Sequence, residues 1–157
     1  MTVDRSVGFS QHAPMTKIAA VYERKGALFV VASHRTMAGF WIDDEHVDRF
    51  DAPTHEELGQ AIEAALARSS NGVPTPPPTV RLDKPLLLAA GVGSWATFMK
   101  LSKHVTVSLD GDVLNITSHT NLGSKGGFEE RSSIKAPSSV PASTVGEKVA
   151  GLIAASA

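Results

Sequence analysis

The chain is 157 residues long, with formal net charge −1, 42% hydrophobic and 20% charged residues, and no cysteine. These values suit one compact domain or two small, closely packed lobes, and they exclude disulfides, thiolate catalysis and zinc sites built on cysteine. Sixteen acids against fifteen bases leave no broadly basic nucleic-acid footprint.

The first residues, "MTVDRSVGFSQHAPMTK", hold no apolar core of the signal-peptide kind. The longest apolar runs, such as "PLLLAAGVG", are far too short to span a bilayer. The expectation is a soluble cytoplasmic protein. Next, "KIAAVY" and "ALFVVAS" are apolar and β-branched, and "ERKG" between them supplies a turn, so a hairpin is expected from Lys17 to Ser33. "GFWI" and "HVDRFD" read as two further short strands. Val47 and Phe50 are three apart, which breaks the alternation of a strand with one buried face. Acids concentrate here: Asp43, Asp44, Glu45, Asp48, Asp51, Glu56 and Glu57 stand against one base, Arg49.

"PTHEELGQAIEAALARSS", Pro53 to Ser70, predicts a well-capped amphipathic helix. Thr54 is a good N-cap, and Glu57 three residues on completes a capping box. The acids of the first turn and Arg68 in the last complement the helix dipole. Leu58, Ile62, Ala65, Leu66 and Ser69 form the buried stripe. Gly59 costs about 1 kcal/mol against alanine inside a helix, so its use there points to close packing against a neighbour. "SSNGVPTPPPTV", Ser69 to Val80, stops the helix and reads as a linker. A ligand for proline-reading modules is its other reading.

In the second half, Ser94 is expected to cap a short helix that buries Trp95, Phe98 and Met99. "HVTVSL", "DG" and "DVLNITS" make the clearest hairpin, with Asp-Gly expected in a type I′ turn. Val105, Val107 and Leu109 should share one face. Val113 and Asn115 should share one face of the return strand, and Leu114 and Ile116 the other. "NLGSKGG" reads as a flexible loop, followed by "GFEERSSIKAP" and a terminal helix in "PASTVGEKVAGLIAASA".

That last helix echoes the first at an offset of 87: Val145 matches Leu58, Gly146 matches Gly59, Val149 matches Ile62, Ile153 matches Leu66 and Ser156 matches Ser69. A Gly-Phe pair, Gly39-Phe40 or Gly127-Phe128, stands upstream of each. The expected fold is therefore a mixed α/β (α+β) unit. It has two similar halves, each an antiparallel hairpin with short strands followed by one amphipathic helix, packed as one compact unit. The repeat runs over about 17–70 and 86–157 of a single domain, joined by the proline-rich stretch 71–79. A chance likeness between two alanine-rich helices is the alternative.

Chemistry is sparse. The six histidines, His12, His34, His46, His55, His104 and His119, form no H-x-x-x-H or H-E-x-x-H. His46 and His55 with the adjacent acids could hold a metal, although a solvated acidic face accounts for them. "GVGSW" is neither a nucleophile elbow nor G-x-G-x-x-G, and no P-loop is present. No catalytic residue, metal site or cofactor is expected.

"APTHEELGQAIEAALARS" resembles the helix motif of the immunity proteins of contact-dependent growth inhibition systems. "GVGSWATFMKLSKHVTVSLDGDVLNITS" and "VPASTVGEKVAGLIAAS" are similar to the second half of such proteins. The resemblance covers Ala27 to the C-terminus. In the second copy Val145 replaces the leucine and no acid pair precedes it. The resemblance implies a cytoplasmic, non-catalytic protein that binds the C-terminal toxin domain of a surface effector, commonly a nuclease, as a 1:1 complex without nucleic acid or membrane. Nuclease clefts are basic, and an acidic surface can mimic phosphate and steer association. On that reading the candidate contacts are Asp43, Asp44, Glu45, Asp48 and Asp51, with Trp41 as an aromatic anchor. Glu56 and Glu57 are set aside, since capping explains them. The alternative is a structural or regulatory interaction domain with another partner.

Overall fold

The computed structural model describes residues 16–156. The segment read for a signal peptide, up to position 15, and His12 lie outside them. β1 (Lys17–Arg24) and β2 (Ala27–Thr36) form the expected hairpin. Its two-residue turn places Lys25 and Gly26 at φ 53° and 87°, the positive pair of a type I′ turn.

The two short strands expected next are one strand, β3 (Trp41–Asp51), paired antiparallel to β2. The register shifts between Val31 and Ser33, where β3 carries two extra residues. Val47 and Phe50 lie on opposite faces, and each packs into a different core cluster. Both faces of β3 are thus apolar in part, and the broken alternation belongs to a strand covered on both sides.

α1 (His55–Arg68) has the predicted capping box: the Glu57 N–H donates to Thr54 Oγ1 at 3.0 Å, and the Thr54 N–H to Glu57 Oε1 at 2.8 Å. Leu58, Ile62, Ala65 and Leu66 are buried. Ser69 is the buried C-cap; its hydroxyl accepts from the Ile18 N–H and donates to the Ser33 carbonyl, tying the helix end to the sheet. The linker expected beyond it contains a strand, β4 (Asn71–Val73), parallel to β2.

A helix that local sequence pattern does not announce, α2 (Lys84–Ala90), follows the prolines. Pro85 sits in its first turn, where a missing N–H costs nothing, and Gly91 closes it at φ 73°. α3 (Trp95–Met99) is capped by Ser94, whose hydroxyl accepts from the Thr97 N–H. Phe98 and Met99 are buried, but Trp95 is only half-buried, contrary to expectation.

β5 (Lys103–Asp110) and β6 (Val113–Asn121) pair with Asp110 opposite Val113. The turn residues are therefore Gly111 and Asp112, not Asp110 and Gly111. Among them only Gly111 has positive φ, 62°, which is the type II′ pattern. Leu114 and Ile116 are buried with Val105 and Val107, as the alternation required. The loop 122–127, read as flexible, is closed by the Leu122 N–H donating to the Gly127 carbonyl at 2.8 Å. β7 (Phe128–Pro137) and α4 (Ala142–Ala155) complete the chain.

The sheet order is β3-β2-β1-β5-β6-β7, with β4 attached to β2. Read outward from the β1–β5 seam, each side gives first, second and third strand. Lys17 to Lys103 and Ala27 to Val113 are 86 apart; Trp41 to Phe128 and His55 to Ala142 are 87 apart. At the seam Ala20 pairs with Thr106, again 86 apart, and Ala19↔Val107 is mirrored by Val21↔Val105. A local twofold passes through the Ala20–Thr106 pair.

α1 and α4 cover one face of the sheet over a core that includes Val21, Val30, Ile62, Val107, Ile116 and Val149. α2 and α3 cover part of the other face, over Ala20, Tyr22, Phe29, Val31, Leu86, Leu87 and Phe98. Among the described residues, this second layer has no counterpart in the other half. Beside it, His104 stacks on Tyr22 at 4.4 Å and meets His119 at 4.5 Å.

Candidate functional site

Among the described residues β3 is an edge strand, and its outer side faces no other strand of the sheet. Successive side chains of a strand point to opposite faces, and this divides the acidic run. Asp43 turns toward the α2–α3 layer. Its carboxylate accepts from the Tyr22 hydroxyl at 3.0 Å and the Ser33 hydroxyl at 3.2 Å. Burial holds its pKa above the ordinary carboxylate value, against the pull of those hydrogen bonds and of His34. Burial likewise raises the Tyr22 phenol, and the Asp43 charge adds to it.

Asp44 turns toward α1 instead. It lies 3.5 Å from Arg68 Nε and 3.6 Å from His34 Nε2, and it accepts from the Glu45 N–H at 2.7 Å. Glu45 is exposed. Asp48 meets His46 at 2.9 Å. Asp51 is 78% exposed, 3.5 Å from Arg49, and Arg49 also donates to the Ala89 carbonyl at 2.9 Å and lies over the Phe29 ring.

The six sequence candidates therefore share one strand but not one patch. Asp43 is a structural acceptor. Asp44, Asp48 and Asp51 each have a cationic or titratable neighbour. Charges along an edge strand also discourage pairing with other copies, which accounts for the run without a partner. His46 and His55 do not converge: the first pairs with Asp48, and the second begins α1 beside α4. Among the described residues, no group of three or more histidine, aspartate or glutamate side chains is placed to hold a metal. No helix among them is long and apolar enough to cross a membrane.

Trp41 is half-buried and lines a cavity of about 580 Å³ with Tyr22, Asp43, Asp83, Leu86 and Trp95. A second cavity, of about 660 Å³, lies between β3, the proline-rich segment and α2, with Asp43, Asp44 and Glu45 in its wall. Val80, Arg81 and Leu82 line both. Sequence reasoning missed Tyr22, Arg81, Asp83 and Trp95. For Tyr22, Arg81 and Trp95 the one signal is residue type, since tryptophan, tyrosine and arginine dominate binding hot spots; Asp83 carries none.

Fold and site together define a mixed α+β protein of two similar halves on one antiparallel sheet, with an acidic edge strand and an aromatic cavity beside it. That fold occurs in solved structures. A protein of unknown function from Neisseria meningitidis, NMB0488, superposes with TM-score 0.74 and 15% identity, over 96% of this chain and 100% of that one. A chain of the CdiA-CT/CdiI toxin and immunity complex from Yersinia pseudotuberculosis superposes with TM-score 0.69 and 14% identity, over 92% and 98%. At such identities the likeness is one of fold. No protein-family model matches the chain, and no curated protein matches it.

Proposed function

We propose that this protein is an immunity protein of a contact-dependent growth inhibition system. It binds the C-terminal toxin domain of a cognate effector in the cytoplasm and neutralises it by occlusion, without catalysis. The observation that carries the reading is the fold shared with a chain of a toxin and immunity complex over nearly the whole of both chains. Of the two roles in such a complex, the resemblance of "APTHEELGQAIEAALARS" to immunity proteins selects this one. The toxin class is a nuclease, because a basic cleft is the natural counterpart of the acidic β3 edge. The chain acts as one domain, and its halves, about 17–70 and 86–157, are copies of one unit.

The test is copurification with the C-terminal domain of the polypeptide encoded immediately upstream. A 1:1 complex that abolishes the domain's nuclease activity and protects cells expressing it is the expected result. Absence of binding, or turnover of a substrate by this protein alone, would overturn the reading.

A further inference from the structure

The chain contains two tryptophans and one tyrosine, and all three line the same cavity. They arrive from separate elements: Tyr22 from β1, Trp41 from β3 and Trp95 from α3. Trp95 is held by stacking on Phe98 at 5.4 Å, and Tyr22 by an edge contact with Phe98 at 5.6 Å. Two carboxylates, Asp43 and Asp83, share the wall. Arg81 pairs with Asp83 at 3.2 Å, so one cation stands against two acids and the lining keeps a negative balance. The rim is apolar, with Val80 and Leu82 exposed.

Aromatic faces attract cations through their quadrupoles, tryptophan most strongly. A carboxylate behind them adds a charged acceptor, and apolar walls suit the methylene stem of a long basic side chain. A phosphate or carboxylate ligand would meet the wrong charge. A purely apolar plug would take the Asp43 carboxyl and the Asp83–Arg81 pair further out of water and bring no new polar partner. We propose that this cavity is the receptor for a lysine or arginine side chain presented by the protein partner. The proposal rests on the immunity reading for the partner's identity, the toxin domain, and it moves the anchor of recognition from the acid run to Trp41, Trp95 and the two aspartates.

Two tryptophans give two indole N–H signals in a nitrogen-15 NMR spectrum of the whole protein. Titration with capped arginine or capped lysine should shift both signals saturably, and capped leucine and capped glutamate should not. Asp43→Asn, which keeps an acceptor for Tyr22, should weaken the response. Equal shifts with all four probes, or none, overturn the proposal. With the toxin domain as ligand, Trp41→Ala should weaken binding roughly tenfold or more, while Trp41→Phe, which keeps an aromatic face, should stay within about threefold of the wild type. If the toxin binds wild type and Trp41→Ala alike, the cavity is not the anchor and the immunity reading stands. If the toxin does not bind the wild type, the immunity reading falls and the proposal falls with it.

Discussion

Gly59 and Gly146 meet where α1 crosses α4. A Cβ on Gly59 would stand 1.7 Å from the Ala142 carbonyl oxygen; one on Gly146 would stand 1.9 Å from the His55 carbonyl oxygen and 3.1 Å from the Gly59 nitrogen. Ala142 opens α4 as His55 opens α1, so the contact is reciprocal in the manner of a twofold interface. Alanine would gain about 1 kcal/mol of helix propensity at either position. The clash is with backbone, which cannot swing aside, and overpacking of this kind costs about 1–3 kcal/mol or more. Gly146→Ala should therefore lower stability in denaturant melts. Gly151→Ala, in the same helix and with nothing within 4 Å of its would-be Cβ, should raise it by about 0.5–1 kcal/mol. Stabilisation by both changes would mean that the helices do not cross at the glycines.

The α1 cap and stripe give a second pair of expectations. Leu66 is 6% exposed within the main core, and Leu66→Ala should cost about 2–5 kcal/mol. Thr54→Ala removes one half of the capping box and should cost about 0.5–2 kcal/mol. Denaturant midpoints at unchanged m-value check both. A loss at Leu66 below about 0.5 kcal/mol, a surface-like value, would contradict its burial.

Features written in neighbouring residues were legible. The α1 capping box needs only Thr54 and Glu57, and the glycine echo needs only an offset. Features decided by packing were not. α2 hides because Leu86, Leu87 and Leu88 read as an apolar run without period; only the first two are buried, and Leu88 is 70% exposed. β3 hides because Val47 and Phe50 serve two different layers, which a one-sided alternation test rejects. The type II′ turn at Gly111 follows from a register one residue along, which the dipeptide alone does not fix. The site was legible only as composition. That Asp43 points inward and Asp44 toward α1 depends on how β2 and β3 align, and the aromatic cavity gathers residues from distant segments.

His104 supplies a pH dependence. It is buried, and its Nδ1–H donates to the Val21 carbonyl at 3.1 Å. Burial, followed by the nearby His119, lowers its pKa to about 3. Burial also lowers His119. Both bind a proton more readily in the unfolded chain, so their neutral forms favour folding at neutral pH. That favour is lost as pH falls from the ordinary histidine value of about 6.5 toward 3. The raised pKa of Asp43 acts in the opposite sense, favouring the folded protein in the acid range. Stability should fall between pH 6.5 and 5, by up to about 1.4 kcal/mol per pH unit for each proton taken up. His104→Phe should flatten that slope by up to one proton's worth. An unchanged slope would mean that His104 is not held neutral.

The acidic edge can be tested only by respecting its two faces. Asp43→Lys would remove the acceptor of Tyr22 and Ser33 and place a second cation beside Arg81. It should destabilise the fold, so loss of binding in that variant says nothing about an interface. Glu45, Asp48 and Asp51 are the informative set, because none is a hydrogen-bond acceptor for a buried side chain. Exposed charge pairs such as Asp48–His46 and Asp51–Arg49 contribute about 0–1 kcal/mol, so lysine at these three positions should shift the melting curve little. On the immunity reading these charges steer a basic toxin domain, and rim charges act mainly on the association rate. The triple variant should associate more slowly, lose much of its salt dependence and protect cells less well, with a smaller change in dissociation rate. Stopped-flow association at several ionic strengths reads this directly. If rate and salt dependence match the wild type while the complex still forms, the β3 edge is a solvated face, and recognition lies in the aromatic cavity or the second half of the sheet.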